Sequence, residues 1–208
     1  MPSVNSFIFQ VRFTKEQKAR FLSHRELMTL MERAVRRAGI PIKMSEGFNP
    51  RPRISFPLAL SLGVESDDEV IYFTLEVWLN PQIIKQQLQS QLIAGIIIKE
   101  VIPVNRPAMV RGVEYLISFK EGIKLPSAEE IKALLAKPEI IVERRKPDTS
   151  KMVNIRPYIN GVEVRDHGLY LSLKVLPEGT VRPEEILQVL GIMPAHCKYN
   201  IKKIKTVI

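Results

Sequence analysis

The 208-residue chain is 45% hydrophobic and 25% charged, which excludes wholesale disorder and suits a globular protein with one large core or two small ones. Its 31 Lys and Arg against 22 Asp and Glu leave a net charge of +9, a balance that favours a polyanionic partner. A lone cysteine, Cys197, excludes an internal disulfide and any multi-cysteine metal or iron–sulfur site built from this chain alone.

The apolar runs Leu92–Ile98 and Phe56–Leu62 are far shorter than a membrane span, and Met1–Phe9 lacks a signal-peptide layout. A soluble, cytoplasmic protein with no membrane partner is expected.

In chain order, Phe7–Phe13 alternates apolar and polar residues and predicts a strand. Ser23-His24-Arg25-Glu26 is a capping box, in which the Ser23 hydroxyl accepts the Glu26 amide while the carboxylate reaches back. Leu27, Leu30, Met31, Ala34, Val35 and Ala38 follow at helical spacing, until Gly39 and Pro41 stop the helix. Two prolines keep Gly47-Phe48-Asn49-Pro50-Arg51-Pro52 out of any helix or central strand. Strands are expected at 53–60 and 69–79, the latter placing Val70, Tyr72, Thr74, Glu76 and Trp78 on one face. Asn80-Pro81 opens a helix reaching about Ile93, Gly95 ends it, and 96–104 reads as a strand.

The second half repeats that order loosely. Strands are expected at 113–119, 139–145, 152–159, 169–175 and 199–207, with helices from a second capping box at Ser127–Glu130 and over 183–190. Turn signals at Asn160-Gly161 and His167-Gly168 add a hairpin strand around 162–165. The expected fold is α+β: two ferredoxin-like α/β-plaits of order βαββαβ, residues 1–105 and 106–208. Helices would cover one face of each antiparallel sheet, leaving the other for a partner or the sibling domain.

No catalytic or metal set stands out. There is no Gly-rich phosphate loop, and His24, His167 and His196 fall in a cap, a turn and a loop rather than at ligand spacing on one element. Cys197, beside His196, reads as a small buried hydrophobe, and Glu65-Ser66-Asp67-Asp68-Glu69 as a solvated turn before a strand. No metal and no cofactor are expected.

Charge is concentrated instead. Residues 1–60 carry eleven basic side chains against four acidic ones. Arg20 and His24 stand at the start of the first helix, where free amides attract anions. Arg25 and Arg36, eleven residues apart, share an outward line, with Arg33 flanking it and Arg37 further round. The loop adds Phe48, Asn49, Arg51 and Arg53: guanidinium forks for phosphate, a ring to stack on a base, an amide to read its edge. A structural account competes, with Phe48 in the core, Asn49 capping a turn and His24 completing the helix cap. Lys151 and Arg156 belong to a further basic cluster.

Arg20-Phe21-Leu22-Ser23-His24, Arg33-Ala34-Val35-Arg36-Arg37-Ala38 and Ser45-Glu46-Gly47-Phe48-Asn49-Pro50-Arg51-Pro52 with Ser55-Phe56 resemble the radical SAM-linked family of uncharacterised bacterial proteins. That domain of unknown function is found fused to, or encoded beside, B12-binding radical SAM enzymes. Lys151-Met152-Val153-Asn154-Ile155-Arg156-Pro157 is similar to a basic segment of the same family. Departures from its pattern are Arg25, Arg51 in place of a common His, and Asn154 in place of an expected Asp.

The resemblance implies partnership with a radical SAM enzyme, whose cluster-binding cysteines this chain lacks. The resulting expectation is a non-catalytic RNA-binding or substrate-presenting accessory module, its RNA a tRNA or rRNA. A self-contained RNA-modifying or RNA-cleaving enzyme using His24, and a protein-interaction domain docking on the radical enzyme, are the alternatives.

Overall fold

Alternation of Phe7, Phe9, Val11 and Phe13 produces the first strand of the computed structural model, β1 (Phe7–Lys15), in which Phe9, Val11 and Phe13 are wholly buried. The structure describes residues 6–120, 123–146, 149–166, 168–192 and 198–208. The expectations for His167, His196 and Cys197 lie outside the described residues. The chain is mixed α+β, with four α-helices among the described residues, and it forms two compact units, Met1–Met109 and Val110–Ile208.

In the first unit β1 is followed by a short 3-10 turn (Gln17–Phe21), then α1 (His24–Arg37), β2 (Ile54–Ser55), β3 (Glu65–Leu75), α2 (Pro81–Gln89) and β4 (Ile98–Val104). The strands lie in the order β4-β1-β3-β2, each pair antiparallel. The capping box forms as its residues dictate. Glu26 N–H donates to Ser23 Oγ at 3.3 Å, and Ser23 N–H donates to Glu26 Oε2 at 2.8 Å. Gly39 ends α1 at φ +66°, a conformation that penalises any side chain. Leu27, Met31, Ala34 and Val35 of α1 and Ile84 and Leu88 of α2 pack on Phe9, Val11, Phe13, Ile71, Phe73 and Leu75, which forms the core.

Three expectations are corrected here. The acidic run Glu65–Glu69 is the first half of β3, not a solvated turn, and Ser66, Asp68 and Glu69 are buried. Cations from neighbouring elements make this tolerable: Arg12 grips Asp68 through contacts of 2.6 and 2.7 Å, and Arg20 stands 3.6 Å from Glu65. The strand expected at 53–60 shrinks to Ile54–Ser55, because Pro57 cannot donate to a ladder. β3 ends at Leu75, where the chain bends and leaves Val77 and Trp78 half exposed. The second face of the sheet is also partly closed, since Gln10 and Tyr72 are buried and the Tyr72 hydroxyl bonds Gln10 and the Ala108 backbone.

The second unit runs β5 (Gly112–Phe119), α3 (Ala128–Leu135), β6 (Ile141–Lys146), β7 (Thr149–Asn154), β8 (Ile159–Arg165), β9 (Gly168–Lys174), α4 (Pro183–Val189) and β10 (Tyr199–Val207). Its sheet order is β10-β5-β9-β8, again antiparallel, while β6 and β7 pair with each other in a separate hairpin and, among the described residues, with no other strand. The expected strand over 152–159 is therefore two strands separated by a 3-10 turn at Arg156–Tyr158, where Pro157 supplies no donor. The expected extra hairpin strand is the sheet strand β8, and the expected sheet strand 139–145 belongs to the β6–β7 hairpin. Arg144 anchors that hairpin to the start of α4 through Glu185, at 2.7 and 2.8 Å, and to Thr180 O.

Gly95 has φ +88°, and an added Cβ would sit 2.4 Å from Glu16 O, whose own residue donates its N–H to Gly95 O at 2.8 Å. Gly95→Ala should therefore destabilise the first unit by about 2 kcal/mol or more, read as a lower denaturant midpoint at unchanged slope.

Candidate nucleic-acid interface

Six of the eight arginines in the first sixty residues divide into two groups, with Arg51 and Arg53 on the loop beyond α1. Arg12 and Arg20 point at the acidic half of β3, and Arg20 also lies over the Phe21 ring at 4.7 Å. Those cations balance internal carboxylates. Arg25, Arg33, Arg36 and Arg37 are all exposed on α1, and among the described residues no carboxylate lies within ion-pair distance of any of them. Taking Arg25 as origin, Arg36, Arg33 and Arg37 lie about 20°, 80° and 120° round the helix, so one side of α1 carries all four. Arg37 Nη2 donates to Gln91 O at 2.9 Å, tying that side to the turn after α2. Arg25, Arg33 and Arg37, with Glu26, Thr29, Leu30 and Ile93, line an open cleft of about 460 Å³.

Glu26 also lines this cleft, with its carboxylate turned back to the helix cap. The Ser23 hydroxyl first, and its backbone N–H second, hold the Glu26 carboxyl below its ordinary pKa. Its contribution to the cap is thus complete above the unfolded pKa and is lost as pH falls through the lowered folded value. His24 is the first residue of α1, exposed, with its ring edge-on to Phe56 at 5.2 Å; Phe56 in turn meets Phe13 at 6.3 Å.

The proline-flanked loop has a defined base. Lys43 N–H donates to Thr74 O at 2.7 Å, Thr74 N–H to Arg53 O at 3.1 Å, and Arg53 N–H to Lys43 O at 2.7 Å. Above it Ser45 N–H meets Arg51 O at 2.7 Å and Arg51 N–H meets Ser45 Oγ at 3.0 Å. The chain between these rungs reverses through Gly47 at φ +119°, and Phe48 stands fully exposed at the tip beside exposed Asn49 and Arg51. Phe48 is therefore not a core residue. Arg53 is 3.8 Å from Glu46, a loose and exposed pair that leaves the guanidinium accessible.

In the second unit Lys151 is exposed on β7, opposite Arg144 in register. Arg156 is engaged internally: Nε donates to Leu135 O at 2.9 Å, at the end of α3, and Nη1 to Ile159 O at 3.0 Å. Asn154 Oδ1 accepts from the N–H groups of Ile140 and Arg156 at 3.0 and 3.1 Å. These roles depend on contacts between distant segments, and the residue types alone gave no sign of them. Ile93, which completes the α1 cleft, escaped the sequence reading because it was assigned to the end of α2. Among the described residues no group of three His, Cys, Asp or Glu side chains is placed to hold a metal ion. No helix among the described residues is long and apolar enough to cross a membrane.

A family model described as an uncharacterized protein conserved in bacteria (DUF2344) matches residues 9–184. The chain belongs to that family. The DUF2344 match takes in α1, the Phe48 loop and the β6–β7 hairpin, and so spans every basic element described above. No curated protein matches the chain.

The two arginine groups should separate in stability measurements. Arg12→Ala strips the guanidinium from a buried carboxylate and should cost about 3–5 kcal/mol. Arg25→Ala, Arg33→Ala and Arg36→Ala should each stay within about 0.5 kcal/mol of the parent in urea unfolding.

Proposed function

We propose that this DUF2344 protein is a non-catalytic RNA-binding or substrate-presenting module that works with a radical SAM enzyme in the cytoplasm. The observation that carries the RNA reading is the arginine side of α1: four exposed guanidinium groups with no carboxylate partner among the described residues. Charge held on the surface without internal compensation is available to phosphates, and guanidinium forks suit phosphate oxygens. The braced loop complements it. Phe48 offers an aromatic face to an unpaired base, with Asn49, Arg51 and Arg53 beside it. Lys151 supplies a separate positive point on the second unit.

The radical SAM partnership rests on the family resemblance of the Arg20–His24, Arg33–Ala38 and Ser45–Phe56 motifs. Reading both units as ferredoxin-like plaits rests on their strand orders, β4-β1-β3-β2 and β10-β5-β9-β8, each built by a β-α-β-β-α-β sequence once the β6–β7 hairpin is set aside as an insertion. Plaits of this kind present one sheet face to helices, and the arginine side of α1 would then be an outer surface.

The test is binding to a structured RNA, a tRNA transcript, as a function of salt. Affinity should fall steeply with salt, and combined Arg25→Ala, Arg33→Ala and Arg36→Ala should flatten the log–log slope by about two to three. Phe48→Ala should weaken binding at all salt concentrations by about 1–3 kcal/mol without changing that slope. No RNA affinity at low salt, with capture of a radical SAM enzyme that survives nuclease treatment, would make the surface a protein dock instead. Turnover of RNA by the isolated chain, lost in His24→Ala, would replace the accessory role with an enzymatic one.

A further inference from the structure

The cleft on α1 is more than a charged face, and it rests on the RNA reading above. Its rim is cationic: Arg25, Arg33 and Arg37 project from one side of the helix, Arg25 about two turns before Arg33 and Arg37 one turn after it. Its floor is apolar, made by half-buried Leu30 and by Ile93, which is 45% exposed although it is an isoleucine. The volume of about 460 Å³ exceeds what a phosphate alone would fill and is of the size that holds a small organic ligand. Glu26 also lines the cleft, but its Oε2 accepts from both the Ser23 hydroxyl, at 2.7 Å, and the Ser23 N–H, at 2.8 Å, so it is held at the helix cap.

An occupant must then carry negative charge at its edge and a flat apolar body at its centre. An extended duplex backbone offers only the first, and an apolar peptide only the second. We infer that the cleft takes one unpaired nucleotide of an RNA strand, its base lying against Leu30 and Ile93 and its phosphate held by Arg25 and Arg33. Arg37 plays a positioning part. Its bond to Gln91 O holds the turn that carries Ile93 against α1, and this keeps the floor beside the rim. Arg36, about 20° round the helix from Arg25, is placed to meet a neighbouring phosphate of the same strand.

Nucleoside 5′-monophosphates, the matching nucleosides, inorganic phosphate and a single-stranded hexanucleotide are titrated into the intact chain, with chemical shifts of the α1 amides as readout. The monophosphate should shift the Thr29–Arg33 amides and the Ile93 methyl groups, and bind at least tenfold tighter than either the nucleoside or phosphate. The hexanucleotide should bind tighter again. Ile93→Ser, which removes the apolar floor at a half-exposed position, should weaken monophosphate binding to the level of inorganic phosphate, read from the Thr29–Arg33 amides, while the melting temperature is unchanged within a few degrees.

Phosphate binding as tightly as the monophosphate would reduce the cleft to a charge site and overturn the inference. A monophosphate binding as tightly as the hexanucleotide would make it a free-nucleotide site and overturn it equally. RNA binding without any monophosphate shifts would sink the inference and leave the RNA reading standing; loss of RNA binding altogether would remove both.

Discussion

The Arg12–Asp68 contact decides where charge is spent in the first unit. It joins β1 to β3 in the register that pairs Phe13 with Glu69 and Arg12 with Val70, which buries the acidic half of β3. Two contacts of 2.6 and 2.7 Å to one guanidinium offset the desolvation of a carboxylate that is 7% exposed. With Glu65 also turned toward Arg20, two of the four carboxylates in the chain's densest acidic segment face internal cations. Those two are not available to neutralise α1, whose arginines have no carboxylate within ion-pair distance among the described residues.

Local patterns made much of this fold legible. Both serine capping boxes, the glycine stop after α1 and the alternation in β1 and β9 are short-range signals, and the structure contains each of them. The failures have a common cause. The Glu65–Glu69 run looked solvated because its compensating cations, Arg12 and Arg20, lie more than forty positions away in the chain, and no window of sequence contains both. The strand assignments in the second unit failed for a related reason: which of the three segments expected between 139 and 165 joins the sheet depends on pairing partners, and only Pro157 marks the break locally.

The candidate surface shows the same division. Helical spacing alone places Arg25, Arg33, Arg36 and Arg37 on one side of α1, because their positions need no tertiary information. Whether each is compensated is a tertiary question, and Arg20 and Arg156 answer it differently from the α1 set. Phe48 could not be assigned from sequence, since an aromatic residue between Gly47 and Pro50 suits a core or a tip equally. The rungs at Lys43–Arg53 and Ser45–Arg51 settle it by closing the loop beneath the ring.

Asn154 carries a different lesson. Among the described residues its carbonyl oxygen is the atom used, as acceptor for the Ile140 and Arg156 amides, and a carboxylate would accept both just as well. Exchange between amide and acid at this position therefore preserves the joint between the β6–β7 hairpin and the turn that follows. The position thus ties backbone to backbone, a task for which the second side-chain atom, amide nitrogen or carboxylate oxygen, is not needed.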